Sequence, residues 1–204
     1  HLKLTPSLWS AWNYYKQDED TEYQNFLDTL NLVIKPPTAA MQNGIDFENE
    51  VRGVQLAEQS QIESLAITCA DVIQDMLYQQ RVFKELIIDG QLYIVSGIID
   101  WLGRDQIVDL KWTGKYEWGK YLGGNIGHLA YTYCTGIPDF KYLVCDGKTV
   151  YHEDYSVSSD MSNTAALIEK FSAMREDIHR VPEFKEAYLT KWICTPLEYE
   201  EKVF

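Results

Sequence analysis

Residues 79–112, QQRVFKELIIDGQLYIVSGIIDWLGRDQIVDLKW, constrain the fold of this 204-residue chain more than any other stretch. They are rich in Val, Ile, Leu and aromatic residues and are broken by turn signals, which is the pattern of successive strands. Asp89-Gly90 is the expected two-residue hairpin turn. Gly103-Arg104-Asp105 is a second turn, between IVSGIIDWL and QIVDLKW. The pattern predicts a three-stranded antiparallel meander.

Helical patterns flank this run. LTPSLWSAWNYY reads as a helix, with Thr5 as cap, Pro6 in the first turn, and Leu8, Trp9, Trp12 and Tyr15 at helical spacing. It ends in the acidic stretch Gln17 to Glu22. After the break at Pro36-Pro37, TAAMQNGIDFENEVRGVQLAEQ looks helical, with Phe47 and Val51 four residues apart, and a further helix is predicted from Ile62 to Leu77. Beyond the meander, NIGHLAYTYC suits a buried helix. Phe140 to Cys145 and Thr149 to His152 flank Asp146-Gly147 as another hairpin, Asn163 to His179 is amphipathic, and a last helix follows Pro182. This order implies an α/β (α+β) fold, a central mixed sheet between helices, in a single domain spanning residues 1–204.

Composition narrows the function. The 31 acidic and 18 basic residues give a formal net charge of −13, which argues against gripping nucleic acid by bulk charge. A local groove is a different matter. Between residues 104 and 152, six basic residues face five acidic ones, so this is the least acidic part of the chain. No apolar run approaches the roughly 20 residues of a membrane-spanning helix. Cys69, Cys134, Cys145 and Cys194 are far apart and form no metal or redox pair, which points to free thiols in a reducing cytoplasm.

One constellation stands out. Asp109-Leu110-Lys111 lies inside an apolar strand, where residues i and i+2 share a face. The same acid-x-Lys spacing recurs at Asp139-Phe140-Lys141, Asp146-Gly147-Lys148, Glu183-Phe184-Lys185 and Glu200-Glu201-Lys202, so the tripeptide alone decides nothing. Context favours the first, because Asp100 ends the preceding apolar strand and a short turn joins the two. Charges in apolar strands are costly to bury unless paired or bound to metal. Convergent carboxylates beside a cation suit metal-dependent phosphodiester cleavage; a structural ion pair is the competing explanation.

GIID followed by DLK, with Gly44-Ile-Asp-Phe-Glu48 upstream, resembles the PD-(D/E)XK nuclease superfamily, particularly its RecB-like and phage exonuclease branches, including exonuclease VIII. LTPSLWSAWNYY is similar to the N-terminal helix of that branch, and the meander to its core. YLGGNIGHLAYTYCTG falls where the branch carries a Q-x-x-x-Y motif, but His128 stands in place of Gln and Thr132 at the Tyr position, flanked by Tyr131 and Tyr133. The resemblance implies a restriction-endonuclease-like core. It implies that Asp100 and Asp109 ligate Mg²⁺ or Mn²⁺, with the Leu110 carbonyl as a further ligand and Glu48 completing the site from a helix that Gly44 admits to the sheet. Glu50 is the rival to Glu48, turned about 200° around the helix. Lys111 would orient or deprotonate the attacking water or stabilise transition-state charge.

By the same resemblance His128 becomes a DNA-phosphate or neighbouring contact, against a plain core role. Trp112, Tyr116, Trp118, Tyr121 and Tyr131, with Lys115 and Lys120, offer stacking and phosphate contacts or simple core packing. The expected activity is a Mg²⁺-dependent DNA exonuclease of phage or mobile-element recombination, acting on linear duplexes with free ends. A single-strand annealing protein and ring-like homo-oligomers are implied partners. A catalytically silent nuclease-fold binding module in a DNA-processing complex is the alternative, and an unrelated acidic α/β domain the third.

Overall fold

A computed structural model describes residues 1–53, 61–156 and 161–194. The chain opens in a short strand, β1 (Leu2–Leu4), and turns into α1 (Pro6–Gln17), where the Thr5 hydroxyl accepts the Leu8 N–H at 3.0 Å. Three residues are too few to show a period, so β1 was not expected. Asp18 ends α1 and caps α2 (Glu19–Leu30), accepting the Thr21 N–H at 3.3 Å. The acidic stretch is therefore the first turn of a second helix, where Glu19, Asp20 and Glu22 meet the positive end of its dipole. α3 (Ala39–Val51) starts at the Thr38 cap and buries Phe47 and Val51. Residues 54–60, expected to prolong it, lie outside the described residues. α4 (Gln61–Val72) stops short of the expected Leu77, because Leu77 already opens a strand.

β2 (Leu77–Ile88) and β3 (Gln91–Leu102) form the predicted hairpin, with Asp89 and Gly90 at φ 50° and 75° in its turn, as a type I′ turn requires. β4 (Gln106–Trp112) completes the meander. α5 (Lys120–Gly124) and α6 (Gly127–Thr135) carry the chain back over the sheet, so β5 (Asp139–Cys145) runs parallel to β4. β6 (Val150–Ser156) returns antiparallel, and α7 (Met161–Arg180) and α8 (Pro182–Lys191) follow. The result is a mixed α/β fold around a six-stranded mixed sheet, ordered β1-β3-β4-β5-β6 with β2 also on β3.

That order places the site. β2 pairs along the whole of β3, so β1, parallel at Tyr93 to Val95, and β4, antiparallel at Trp101 and Leu102, share the other edge. Among the described residues, the stretch of β3 from Ser96 to Asp100 has no strand beside it there.

On one sheet face Trp101, Val108 and Leu143 pack under Phe47, Val51, Leu65 and Cys69 of α3 and α4. Elsewhere Tyr93 and Val95 meet Trp9, Phe26, Phe171 and Phe184 from α1, α2, α7 and α8. A third cluster, Ile107, Phe140, Tyr142 and Val144, reaches Tyr121 and Tyr131. Fully burying side chains of this size contributes about 1.5–3 kcal/mol each. All four cysteines are free, and three of them are buried. Among the described residues no helix is long and apolar enough to cross a membrane.

Candidate active site

β3 and β4 pair only at Trp101↔Val108 and Leu102↔Ile107. One step further, the same register would set Asp100 opposite Asp109, but the ladder has ended. The Asp100 side chain takes its place, Oδ2 accepting the Leu110 N–H at 2.9 Å. β4 meanwhile follows β5 from Gln106↔Asp139 to Trp112↔Cys145. Asp109 and Lys111 share one face of β4, and their side chains form an ion pair at Asp109 Oδ1. Asp109 is 5% exposed, and its Oδ1 accepts no well-directed hydrogen bond. The Lys111 side chain is half-buried.

Two carboxylates thus crowd one cation. Burial, and next the Asp109 charge, push the Asp100 carboxyl up to about 7, against partial relief from Lys111 and the Leu110 N–H. Burial works against the Lys111 ammonium too, yet Asp109 and Asp100 outweigh it and hold the ammonium above its ordinary range. The Tyr131 and Tyr142 phenols are raised by burial and then by Asp109, so both rings wall the same face. Tyr131 lies against β3 because residue 97 is glycine: a methyl there would come within 2.6 Å of its ring.

Glu48, from α3, is the helix carboxylate whose charge acts on Asp100. Its Oε1 accepts from Tyr78 Oη at 2.6 Å and from Gln79 Nε2 at 3.1 Å. Gly44 was expected to admit this helix to the sheet. A methyl there would meet Trp112 Cβ at 3.6 Å, an ordinary contact, so the approach does not depend on glycine.

The remaining candidates are scattered. Lys115 and Lys120 are exposed on the segment after β4, with the Lys120 ammonium 6.0 Å from the Tyr121 ring centre. Trp112 packs on Phe47 and Tyr116 stacks on Tyr151, whereas Trp118 is exposed. His128 is buried against Phe140 and Tyr142, its Nδ1 3.4 Å from Tyr142 Oη, and burial followed by the Lys170 charge pulls it down to about 4. Asp146 caps its own turn by accepting the Lys148 and Thr149 N–H groups, Glu183 sits in α8, and Glu200 lies outside the described residues.

One feature had no counterpart in the sequence reading. A cleft of about 420 Å³ opens over this stretch of β3, lined by Ser96, Gly97 and Tyr131 and by three cations, Lys3, Arg81 and Lys191. Its cations come from the two chain ends and β2, so no local pattern announces it.

The donor set suits a hard divalent cation: two carboxylates in excess over one ammonium, a buried Asp109 oxygen without a well-directed hydrogen bond, and oxygen ligands throughout. Asp100, Asp109 and the Leu110 carbonyl would hold it, with Glu48 on the helix side. Among the described residues, no three His, Cys, Asp or Glu side chains are gathered closely enough to bind a metal as they stand. Glu48 Oε1 is taken up by Tyr78 and Gln79.

No protein-family model matches the chain, and no curated protein matches it. Its fold is shared. The crystal structure of SSO0001 superposes with a TM-score of 0.55 at 10% identity, over 86% of this chain and 76% of that one. At that identity the likeness speaks for the fold alone, a mixed sheet flanked by helices.

Proposed function

We propose that this chain is a Mg²⁺-dependent DNA nuclease that hydrolyses phosphodiester bonds, an exonuclease acting on linear duplexes with free ends in phage or mobile-element recombination. The observation that carries the proposal is the parting of β3 from β4 after two paired positions, which brings Asp100, Asp109 and Lys111 together on a half-buried face.

A divalent cation bound there would supply polarisation of the scissile phosphate and a lower pKa for an attacking water. Asp100 and Asp109 fix its place, and the Leu110 N–H holds Asp100 in orientation. Lys111, kept protonated by the two carboxylates, is placed to orient the water and to offset charge developing on the phosphate oxygens. The cleft beside Tyr131 supports a phosphate-bearing substrate, since it gathers Lys3, Arg81 and Lys191 in a chain of net charge −13.

The test is cleavage of end-labelled linear duplex and closed circular DNA with Mg²⁺ or Mn²⁺, comparing the parent with Lys111→Ala. Stepwise loss of the linear DNA alone, abolished in the variant, is the expected result. Cutting of the circle makes the enzyme an endonuclease, and cleavage indifferent to Lys111 removes this site from the reaction.

A second reading, a catalytically silent binding module, draws on the way the charges pair among themselves: Lys111 with Asp109, and Glu48 with Tyr78 and Gln79. It expects DNA retention without cleavage, unchanged in Lys111→Ala.

A further inference from the structure

Gln79 has φ +46°, a left-handed conformation that a residue with a Cβ adopts at a free-energy cost. Its place in the sheet makes this informative. Tyr78 pairs with Trp101 and Gln80 with Ile99, so Gln79 sits opposite Asp100, at the step where the regular β2–β3 pairing is interrupted. The twisted backbone goes with a side chain whose Nε2 reaches Glu48 Oε1 at 3.1 Å, while the adjacent Tyr78 hydroxyl donates to the same oxygen at 2.6 Å. Arg52, four residues after Glu48 on the helix side, lies with its guanidinium 4.0 Å from the Tyr78 ring centre. Both hydrogen bonds fall on Oε1. Oε2 of Glu48 has no partner among the described residues.

We infer that Tyr78 and Gln79 are positioning residues for the cation site: they clamp Oε1 of Glu48 so that the carboxylate is held beside the Asp100–Asp109 pair with Oε2 left to meet the cation or a water on it. The inference rests on the proposed carboxylate site and adds to it the residues that hold its third member. Mg²⁺ commonly keeps several waters, so a carboxylate that meets the cation through one of them suits it. The strained turn at Gln79 has a purpose in this arrangement, because an ordinary extended residue there would not direct its side chain along the same path.

The experiment is Mn²⁺ binding to the full chain, by calorimetry and by the electron paramagnetic resonance signal of the free ion, with melting temperature measured on the same samples. Tyr78→Phe removes one donor and Gln79→Gly removes the other while relieving the strained φ. Each is expected to weaken Mn²⁺ binding by about tenfold, in line with the effect of residues that orient metal ligands. Gln79→Gly should do so while its melting temperature holds or rises, and Gln79→Asn, which tolerates the left-handed region and keeps an amide donor, should recover part of the affinity. A merely structural clamp predicts the reverse: lower melting temperatures and unchanged affinity. Binding within twofold of the parent in both Tyr78→Phe and Gln79→Gly, or tighter binding, overturns the inference. If the parent binds Mn²⁺ and Asp100→Asn with Asp109→Asn abolishes it, the carboxylate site stands whatever the clamp variants show; if the parent binds none, both fall together.

Discussion

Two adjacent parallel strands carry the same tripeptide pattern and do opposite things with it. On β4, Asp109-Leu110-Lys111 faces the gap left where β3 turns away; on β5, Asp139-Phe140-Lys141 lies in an unbroken ladder with β6. Lys141 stands directly across from Asp154 and pairs with it at 2.8 Å, one cation to one carboxylate, with Asp139 exposed. Lys111 is shared between Asp109 and Asp100, and burial leaves that excess of negative charge unrelieved. A strand that keeps its neighbour settles its charges pairwise. A strand that loses its neighbour gathers charges that a proton on Asp100 or a further cation would balance.

The widest separation between the two strands should appear in turnover. Lys111→Ala is expected to slow metal-dependent DNA cleavage by about 10²–10⁴-fold, the usual contribution of a proton-transferring or charge-stabilising group, with little change in folding. Lys141→Ala should stay within about twofold, since Lys141 pairs with Asp154 and not with the carboxylates of the site. Single-turnover rates on linear duplex give both numbers. Equal losses in the two variants would erase the distinction between the strands.

The next effect lies in pH. His128 rests on Phe140 and Tyr142 of β5, and in the folded chain it holds a proton only below about 4, against about 6.5 when unfolded. Between those values the unfolded state takes up a proton that the folded state refuses. The stability tied to His128 is therefore complete above about pH 6.5 and is lost as pH falls toward 4, by up to about 3 kcal/mol. Urea unfolding across that range should show a shallower loss in His128→Gln than in the parent. Parallel curves would mean that His128 is solvated, and the β5 side would not be the closed wall described above.

Gly97→Ala tests the β3 side of the gap. The added methyl would push on the Tyr131 ring, and overpacking of this kind costs about 1–3 kcal/mol. Thermal unfolding should recover much of the loss in Gly97→Ala combined with Tyr131→Leu, because contacting residues are not additive. Full additivity would place the Tyr131 ring away from β3.

How much of this was readable in advance follows from the range of the interactions. The meander and its two turns are local patterns, and so is the conspicuous Asp100, Asp109 and Lys111 set, charged groups in apolar strands around a short turn. Asp18 misled because one residue both ends α1 and starts α2, so an acidic first turn passed for a terminator. Tyr78 fell between the expected helix and the strand run, and Gln79 read as an ordinary strand residue; the Tyr78 partner Glu48 is 30 residues away, and nothing local marks a positive φ at Gln79. The cleft cations come from residues 3, 81 and 191, which only the closed fold unites.

The smallest effect decides how far the contrast between the strands extends. Asp154 is 63% exposed, so water competes for both ends of its pair with Lys141, even though the Lys141 side chain is only 13% exposed. Exposed pairs of this kind contribute about 0.2–1 kcal/mol, and salt screens them. A double-mutant cycle with Lys141→Ala and Asp154→Ala should give a coupling in that range that shrinks as salt is added. The same cycle on Asp109 and Lys111, run without divalent metal, should give a larger coupling that resists salt, because the Asp109 carboxylate is far more enclosed than that of Asp154 and Asp100 adds to the field. Adding Mn²⁺ should then weaken the Asp109–Lys111 coupling and leave the Lys141–Asp154 value alone, since a cation at the carboxylates would take over the role of Lys111 there. If the two cycles gave the same coupling and the same response to Mn²⁺, the parting of β3 from β4 would have no electrostatic consequence, and the acid-x-Lys pattern on β4 would be as structural as the one on β5.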